Sequence, residues 1–536
     1  MTRAARPGLK LGGALLTMAL LTLVLPGQPA LARDAASALP PGTPHWSEVV
    51  WYEVFVRSFQ DSDGDGIGDL RGLIERLPYL SGLGVGGLWL MPIYPSPSYH
   101  GYDVTDYTGV NPEYGDEADL VELVERAHEL GIRVILDFVP NHTSSAHPWF
   151  RAALAGDETF RAYYRFERDP PPMRGTRGGN AWHLAPDGTS YLGLFSERMP
   201  DLNLANPAVT AELQAAALHW LELGVDGFRI DAIQHLIEGP DGQISNTPET
   251  YEWVRAFEAY VHEVAPHAFL VGETWTEMPA IVRYHTAGNL DMSFDYPLWK
   301  VLLSALQSRS AADLADTLAQ ERKLYPEGAV RGTFLDNHDQ TRLATRLSIP
   351  RRDEARLKLA AGLLLTLPGT PFVYYGDEIG MPDGPGVFDV EKRTPMRWEA
   401  VDADGLFGFS TAQPWTDPGR GIPGVSVAEQ DADPASLLNH YRHLAALRNS
   451  HEALRSGDWS VVPTGSSRAV LALVRTAPGG ERLLVLANLS ARAAEWEPGD
   501  LRMASYPDLV TGAPLRVLEG GNLELPALGL SVIPLR

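Results

Sequence analysis

Eight short apolar runs recur along the chain, separated by stretches whose apolar residues fall at helical spacing. They cover residues 49–56, 85–92, 133–140, 225–230, 269–273, 292–296, 332–335 and 371–375. Each is a short apolar run and reads as a strand. Between them, residues 117–130 place apolar side chains at 120, 121, 124, 127 and 130, with Gly131 as a stop. Residues 207–223 begin with Asn206-Pro207 and end before Gly224. These are helix start and stop signals. Strands alternating with helices predict a parallel sheet, and eight is the number that closes it into an α/β fold of the (β/α)8 TIM barrel type.

The rhythm breaks once inside the barrel. Residues 143–203 contain Pro170-Pro171-Pro172, several Gly and scattered aromatics. A connection that long needs its own structure, which predicts a small domain inserted after the third strand. From about residue 453 the pattern changes to short strand-like runs at 470–474 and 483–489, with Pro478-Gly479-Gly480 between them. This predicts a C-terminal antiparallel β-sandwich over 453–536. The barrel itself then occupies 47–142 and 204–452.

Residues 1–32 read as a signal peptide. Arg3, Arg6 and Lys10 precede an apolar run from Leu11 to Leu25, and Ala30-Leu31-Ala32 supplies small residues for cleavage. A membrane anchor fits less well, because the run is short of the ~20 residues that span a bilayer. Residues 33–46 read as a linker rich in Ala, Pro, Gly and Ser. The expectation is a secreted protein, extracellular or periplasmic, free of the membrane after signal removal and monomeric.

The formal net charge is −24, and loss of the three basic residues of the leader makes it −27. No basic patch interrupts the acidity, so nucleic acid is not an expected partner. There is no cysteine, which excludes disulfides and thiolate chemistry. Hydrophobic residues make up 44% of the chain, enough for a large core.

In such a barrel the reactive groups gather at the C-terminal ends of the strands. The third run carries Asp137 and ends at Asn141-His142, the fourth runs into Arg229-Ile230-Asp231, the fifth ends in Glu273, and the seventh leads to Asn337-His338-Asp339. One carboxylate at a strand end is often only a helix cap. Four strands delivering Asp, Glu, His and Arg to one mouth predict an active site. Arg229 and Asp231 are two apart on a strand and so share a face. Paired carboxyls on neighbouring strands suit glycoside hydrolysis, one protonating the leaving oxygen and the other attacking the anomeric carbon. The residues by themselves do not name the sugar.

Four segments resemble the α-amylase family of glycoside hydrolases, in the family's order. They are Asp137-Phe138-Val139-Pro140-Asn141-His142, Gly227-Phe228-Arg229-Ile230-Asp231, Gly272-Glu273-Thr274-Trp275 and Phe334-Leu335-Asp336-Asn337-His338-Asp339. The resemblance implies that Asp231 is the nucleophile, Glu273 the general acid/base and Asp339 the binder of the distorted sugar's hydroxyls. It places His142, Arg229 and His338 around the same sugar, with Tyr102 of His100-Gly101-Tyr102-Asp103 stacked beneath it. Trp and Tyr on strands are core by default, as for Trp89, Tyr374 and Tyr375; Trp275, just beyond Glu273, is placed for sugar stacking.

Met199-Pro200-Asp201-Leu202-Asn203 resembles a mark of members between the oligo-1,6-glucosidases and the neopullulanases, and Arg393–Trp398 resembles a segment of the glucosidase side. Exo-acting α-glucosidases of the family carry Asp where this chain has Tyr99, and α-1,6-cleaving members tend to have Val where it has Ala232. The resemblance therefore implies retaining, endo-type cleavage of α-1,4 links in starch, glycogen or maltodextrins. The alternatives are an oligo-1,6-glucosidase or α-glucosidase, a neopullulanase-like or transglycosylating enzyme such as a trehalose synthase, and, outside enzymes, a sugar-binding relative.

Residues 61–69 put Asp61, Asp63, Asp65 and Asp69 at alternating positions around Gly turns, with the Ile67 carbonyl at position seven. Oxygen ligands in that order suit Ca²⁺ in a looped site, although no bidentate Glu closes it as in an EF-hand. The other reading is an Asp-rich turn. The resemblance implies a second ion held by Asn141, Asp201 and the backbone carbonyl of His235.

Overall fold

A computed structural model describes residues 1–2, 39–239, 242–347, 354–401, 405–465, 467–501 and 507–536. The proposed signal peptide, apart from Met1 and Thr2, and most of the proposed linker lie outside the described residues. Among those described, no helix is long and apolar enough to cross a membrane.

The eight runs are eight parallel strands: β1 (Val50–Val54), β2 (Val85–Leu90), β3 (Arg133–Phe138), β4 (Gly227–Ile230), β5 (Phe269–Gly272), β6 (Met292–Phe294), β7 (Val330–Phe334) and β8 (Thr370–Tyr374). They close into a barrel in chain order, β1 pairing with both β2 and β8. The interior is filled by large rings. Trp51 stacks on Phe372 at 5.8 Å, and Trp89 packs on Phe294 at 5.4 Å. Below them Trp46 stacks on Phe269 at 4.6 Å and closes the N-terminal end. The sheet is therefore a packed core and offers chemistry only at its rims.

The helix signals act as written. Asp116 and Asp119 form a capping box at the start of the helix Glu117–Glu129, and Asn206 caps Pro207–Glu222. Gly131 and Gly224 follow these helices in the left-handed conformation, at φ 74° and 98°, where a side chain would strain the turn.

After β3 the chain makes an excursion and returns beside its own exit, where the Leu202 amide donates to the Asn141 carbonyl at 2.8 Å. The excursion holds a three-stranded antiparallel sheet, Phe166–Glu167, Ser190–Leu192 and Trp182–Leu184, and a small core of Met173, Ala181, Trp182, Leu192 and Leu194. Beyond the helix Leu437–Ser450, two antiparallel sheets pack face to face. The strand Val470–Thr476 alternates its contacts. Val470, Ala472 and Val474 meet Trp496, Leu523 and Leu525 of the second sheet, while Leu471 and Leu473 join the main core. That two-residue period turns one face of the first sheet toward each partner.

Candidate active site

The C-terminal rim gathers the expected residues around Arg229. Register places Asp137 of β3 directly beside Arg229 of β4. Arg229 is buried, and its Nη1 donates to Asp137 Oδ1 at 2.8 Å and to Asp231 Oδ1 at 2.7 Å. Its Nη2 lies 3.0 Å from Glu273 Oε2. The guanidinium rests over the rings of Trp89 and Tyr102, 5.1 and 5.9 Å from their centres. Trp89 is a core ring that also braces the site, its indole N–H reaching Asp137 Oδ2 at 3.3 Å.

A second group forms around His338. Its Nδ1 contacts Glu53 Oε1 of β1 at 2.5 Å, and its Nε2 lies 2.7 Å from the Tyr102 hydroxyl and 3.3 Å from Asp339 Oδ2. The Tyr102 hydroxyl donates in turn to Asp137 Oδ2 at 2.9 Å, and its ring stacks on His338. Arg393 donates through Nε to the His338 carbonyl and through Nη2 to Asp339 Oδ1, both at 3.0 Å. A chain of polar contacts thus crosses the mouth from Glu53 on β1 to Glu273 beyond β5.

Five carboxyl groups (Glu53, Asp137, Asp231, Glu273, Asp339) face three cations, Arg229, Arg393 and protonated His338. Burial disfavours any uncompensated charge here. Glu273 is pushed up to about 7 by burial, with the charges of Asp231 and Asp339 adding to it and Arg229 opposing. Asp137 is pushed up to about 7 by burial and the nearby Asp231, again against Arg229. Burial works against the charge on His338, but Asp339 and Glu53 raise it to about 10. Burial also works against ionised Asp339, yet His338, Arg393 and Arg229 hold its carboxyl well below the usual range. Glu273 is thereby poised to hold a proton near neutral pH, while Asp339 stays ionised.

Glu273 Oε2 accepts from the Ala232 amide at 2.8 Å and lies against Arg229, so Oε1, which the Tyr296 hydroxyl meets at 3.4 Å, is the oxygen free of strong donors. Ala232 makes that amide contact from a left-handed backbone, φ 47°. Trp275 stands at the rim, 42% exposed, its ring stacked on Tyr296 at 5.1 Å. His142 is buried, bonds Asn141 Oδ1 through Nδ1 at 2.9 Å, and keeps Nε2 without a partner. Its ring packs on Phe195 from the inserted segment.

All the sequence-derived catalytic and sugar-facing residues are therefore in one cluster, with Trp275 at its edge. Glu53, Tyr296, Phe195 and the pairing role of Arg393 were missed. Glu53 carried a signal: a lone carboxylate inside an apolar strand needs a partner once buried.

Asp61, Asp63 and Asp65 do come together, offering carboxylate oxygens all within 4.8 Å of one another. Gly64 and Gly66 turn between them with φ 82° and 94°. Asp69 departs from the expectation and stands outside this trio. It caps the helix Leu70–Leu83, accepting from the Gly72 amide at 2.7 Å, and binds Ser62 through its amide and hydroxyl at 2.8 Å. Helix capping competes for the carboxylate that the spacing assigned to the ion. At the second expected site Asn141 Nδ2 donates directly to the His235 carbonyl at 2.7 Å. Asp201 keeps Oδ2 buried and without a partner, and burial together with Glu238 raises its carboxyl well above the ordinary value.

Residues 53–457 match the family model described as the α-amylase catalytic domain. Among curated proteins, α-amylase 3 of Dictyoglomus thermophilum is 38% identical over 455 residues, spanning 83% of this chain and 86% of the relative. A trehalose synthase of Pimelobacter sp. is 34% identical over 554 residues, spanning 91% and 93%. Among solved structures, an α-amylase from H. orenii superposes with a TM-score of 0.80 at 35% identity, covering 91% of this chain and all of that one. With a closed barrel, a carboxyl-lined mouth and relatives of this length and similarity, the chain belongs to the α-amylase family of glycoside hydrolases and transglycosylases.

Proposed function

We propose that the protein is a retaining endo-acting enzyme that hydrolyses α-1,4-glucosidic bonds of starch, glycogen or maltodextrins. The observation that carries this reading is Arg229 holding Asp231 on one nitrogen and Glu273 on the other. That arrangement favours the short separation of ~5–5.5 Å at which a carboxylate attacks directly, with no room for an intervening water. Asp231 attacks the anomeric carbon, while Glu273 delivers its Oε1 proton to the leaving oxygen. Glu273 then takes a proton from the water that cleaves the glycosyl ester. Asp339, fixed by His338 and Arg393, binds hydroxyls of the distorted sugar, and Tyr102 lies beneath it. His142 Nε2 is available to a further hydroxyl. Tyr99, stacked on Trp415 at 5.2 Å, replaces the carboxylate of the exo-acting α-glucosidases and supports endo action.

The first product, followed by NMR before mutarotation, should be the α anomer; a β anomer would remove Asp231 from the nucleophile role. Digestion of starch, isomaltose and maltose fixes the linkage. Rapid cleavage of isomaltose with inert starch overturns the α-1,4 reading. The trehalose synthase relatives favour a second reading, transfer of the glucosyl group to a sugar, and conversion of maltose to trehalose without net hydrolysis would establish it.

We also propose that Asp61, Asp63 and Asp65 hold Ca²⁺ with the Ile67 carbonyl, an ion that would neutralise the crowded loop and brace the segment between β1 and its helix. We propose secretion into the extracellular or periplasmic space, a reading supported by the basic, apolar and small-residue pattern of residues 1–32.

A further inference from the structure

We propose that Glu258, His262 and Asp291 form a second kind of metal site, one for a divalent transition ion such as Zn²⁺, on the barrel end opposite the catalytic mouth. Glu258 and His262 are one turn apart on the helix Pro248–Val264 and so share a face. Asp291 immediately precedes β6. The three offer one ligand atom each, all within 4.8 Å of one another. His262 Nε2 lies 3.0 Å from Asp291 Oδ2. A tetrahedral ion with ligands at ~2.0–2.2 Å sets its donors roughly 3.3 Å apart, so the pair needs to open by only a few tenths of an ångström.

The independent observation is Glu258. It is fully buried, neither carboxylate oxygen has a hydrogen-bond partner, and the polar groups acting on it are those of Asp291. A buried carboxyl against a second carboxyl needs either a shared proton or a cation. An outer contact resembles those that orient metal ligands: Asp291 Oδ2 accepts the Leu270 amide at 2.9 Å. His262 and Asp291 are partly exposed, 36% and 15% by side chain, which gives an ion an entry path and a fourth, water-filled position. One imidazole with two carboxylates suits zinc better than calcium.

The test is zinc titration of the untagged full-length protein by calorimetry, with calcium saturating so that the acidic loop near Asp63 does not compete. Wild type should bind one zinc ion, and its thermal midpoint should rise on binding. Outer partners of metal sites are typically worth ~10–100-fold in affinity, so loss of a ligand in His262→Ala should weaken binding by at least that much. Glu258→Gln should do the same, while His267→Ala, an exposed neighbour outside the cluster, should bind as wild type. No zinc binding by wild type, or binding that survives His262→Ala, overturns the site and leaves a shared proton between Glu258 and Asp291. These readouts do not depend on glycosidase activity, so they stand apart from the catalytic assignment.

Discussion

Replacing Glu273 by Gln should make the protein inactive on starch and more stable in alkali. Glu273 is 6% exposed, and its carboxyl rises from 4.5 to about 7 on folding. A group whose pKa rises on folding contributes stability below its unfolded value, and that contribution is lost as pH climbs through the folded value. For these two values, linkage removes ~2.5 kcal/mol from the wild type between about pH 5 and about pH 8. Gln at 273 keeps the shape and does not titrate, so it escapes that loss. With an unfolding entropy of ~2.1 cal/mol/K per residue in a chain of this size, the difference is about 2 °C in thermal midpoint. Calorimetry of both proteins across this range, with calcium saturating, should show the variant gaining that margin as pH rises. Asp137 titrates in the same range in both proteins, so the difference between the curves is the relevant quantity. The wild type's kcat/KM should fall above about pH 7, where the acid loses its proton. A midpoint difference that stays flat with pH, or activity that persists well into alkali, would refute the assignment of a buried protonated acid at 273.

Asp231→Asn should abolish turnover on every glucan while the thermal midpoint stays near that of wild type, because an amide cannot form the glycosyl ester; measurable residual hydrolysis would contradict that role. Arg393→Leu removes a charge-assisted bond worth ~1.5–3 kcal/mol and should lower kcat/KM ~10–100-fold. Arg393→Lys should recover only part of that loss in the same assay, since one ammonium cannot reproduce the two fixed contacts to His338 and Asp339. Chelation should lower the thermal midpoint, and Asp63→Ala should remove most of the response; a metal-free protein indifferent to chelator would make the loop only a turn. Trp275→Ala should raise KM for long glucans by ~2–10-fold with kcat unchanged, whereas a fall in kcat alone would show that the ring acts through Tyr296 on Glu273.

The barrel was legible because each strand is a continuous apolar run and its helices are punctuated by Asp, Asn-Pro and Gly. The site was legible where a charge ends such a run, as Asp231 and Glu273 do. What could not be read was pairing across the mouth. His338 meets Glu53, 285 residues away in sequence, a contact that exists only once the barrel has closed. Arg393 ends the short 3-10 helix Asp389–Arg393 beyond β8, a place where an arginine is ordinarily solvated, and only the fold turns it onto Asp339. Asp69 shows the reverse error. Spacing assigned it to a metal, while the nearby helix start claimed it as a cap, and local sequence does not decide between two users of one carboxylate.

The contact between Glu53 and His338 also sets a clock for synthesis. At ~5–20 residues per second, a ribosome needs roughly 15–60 s to travel the 285 residues that separate the two partners. Throughout that interval β1 carries a carboxylate that none of its apolar neighbours neutralises. A charge inside a hydrophobic strand opposes edge-to-edge association with other chains. The first strand to emerge thus carries, in the group that later completes the mouth, a charge that opposes aggregation until His338 meets it, and its open edge closes only when β8 pairs with it.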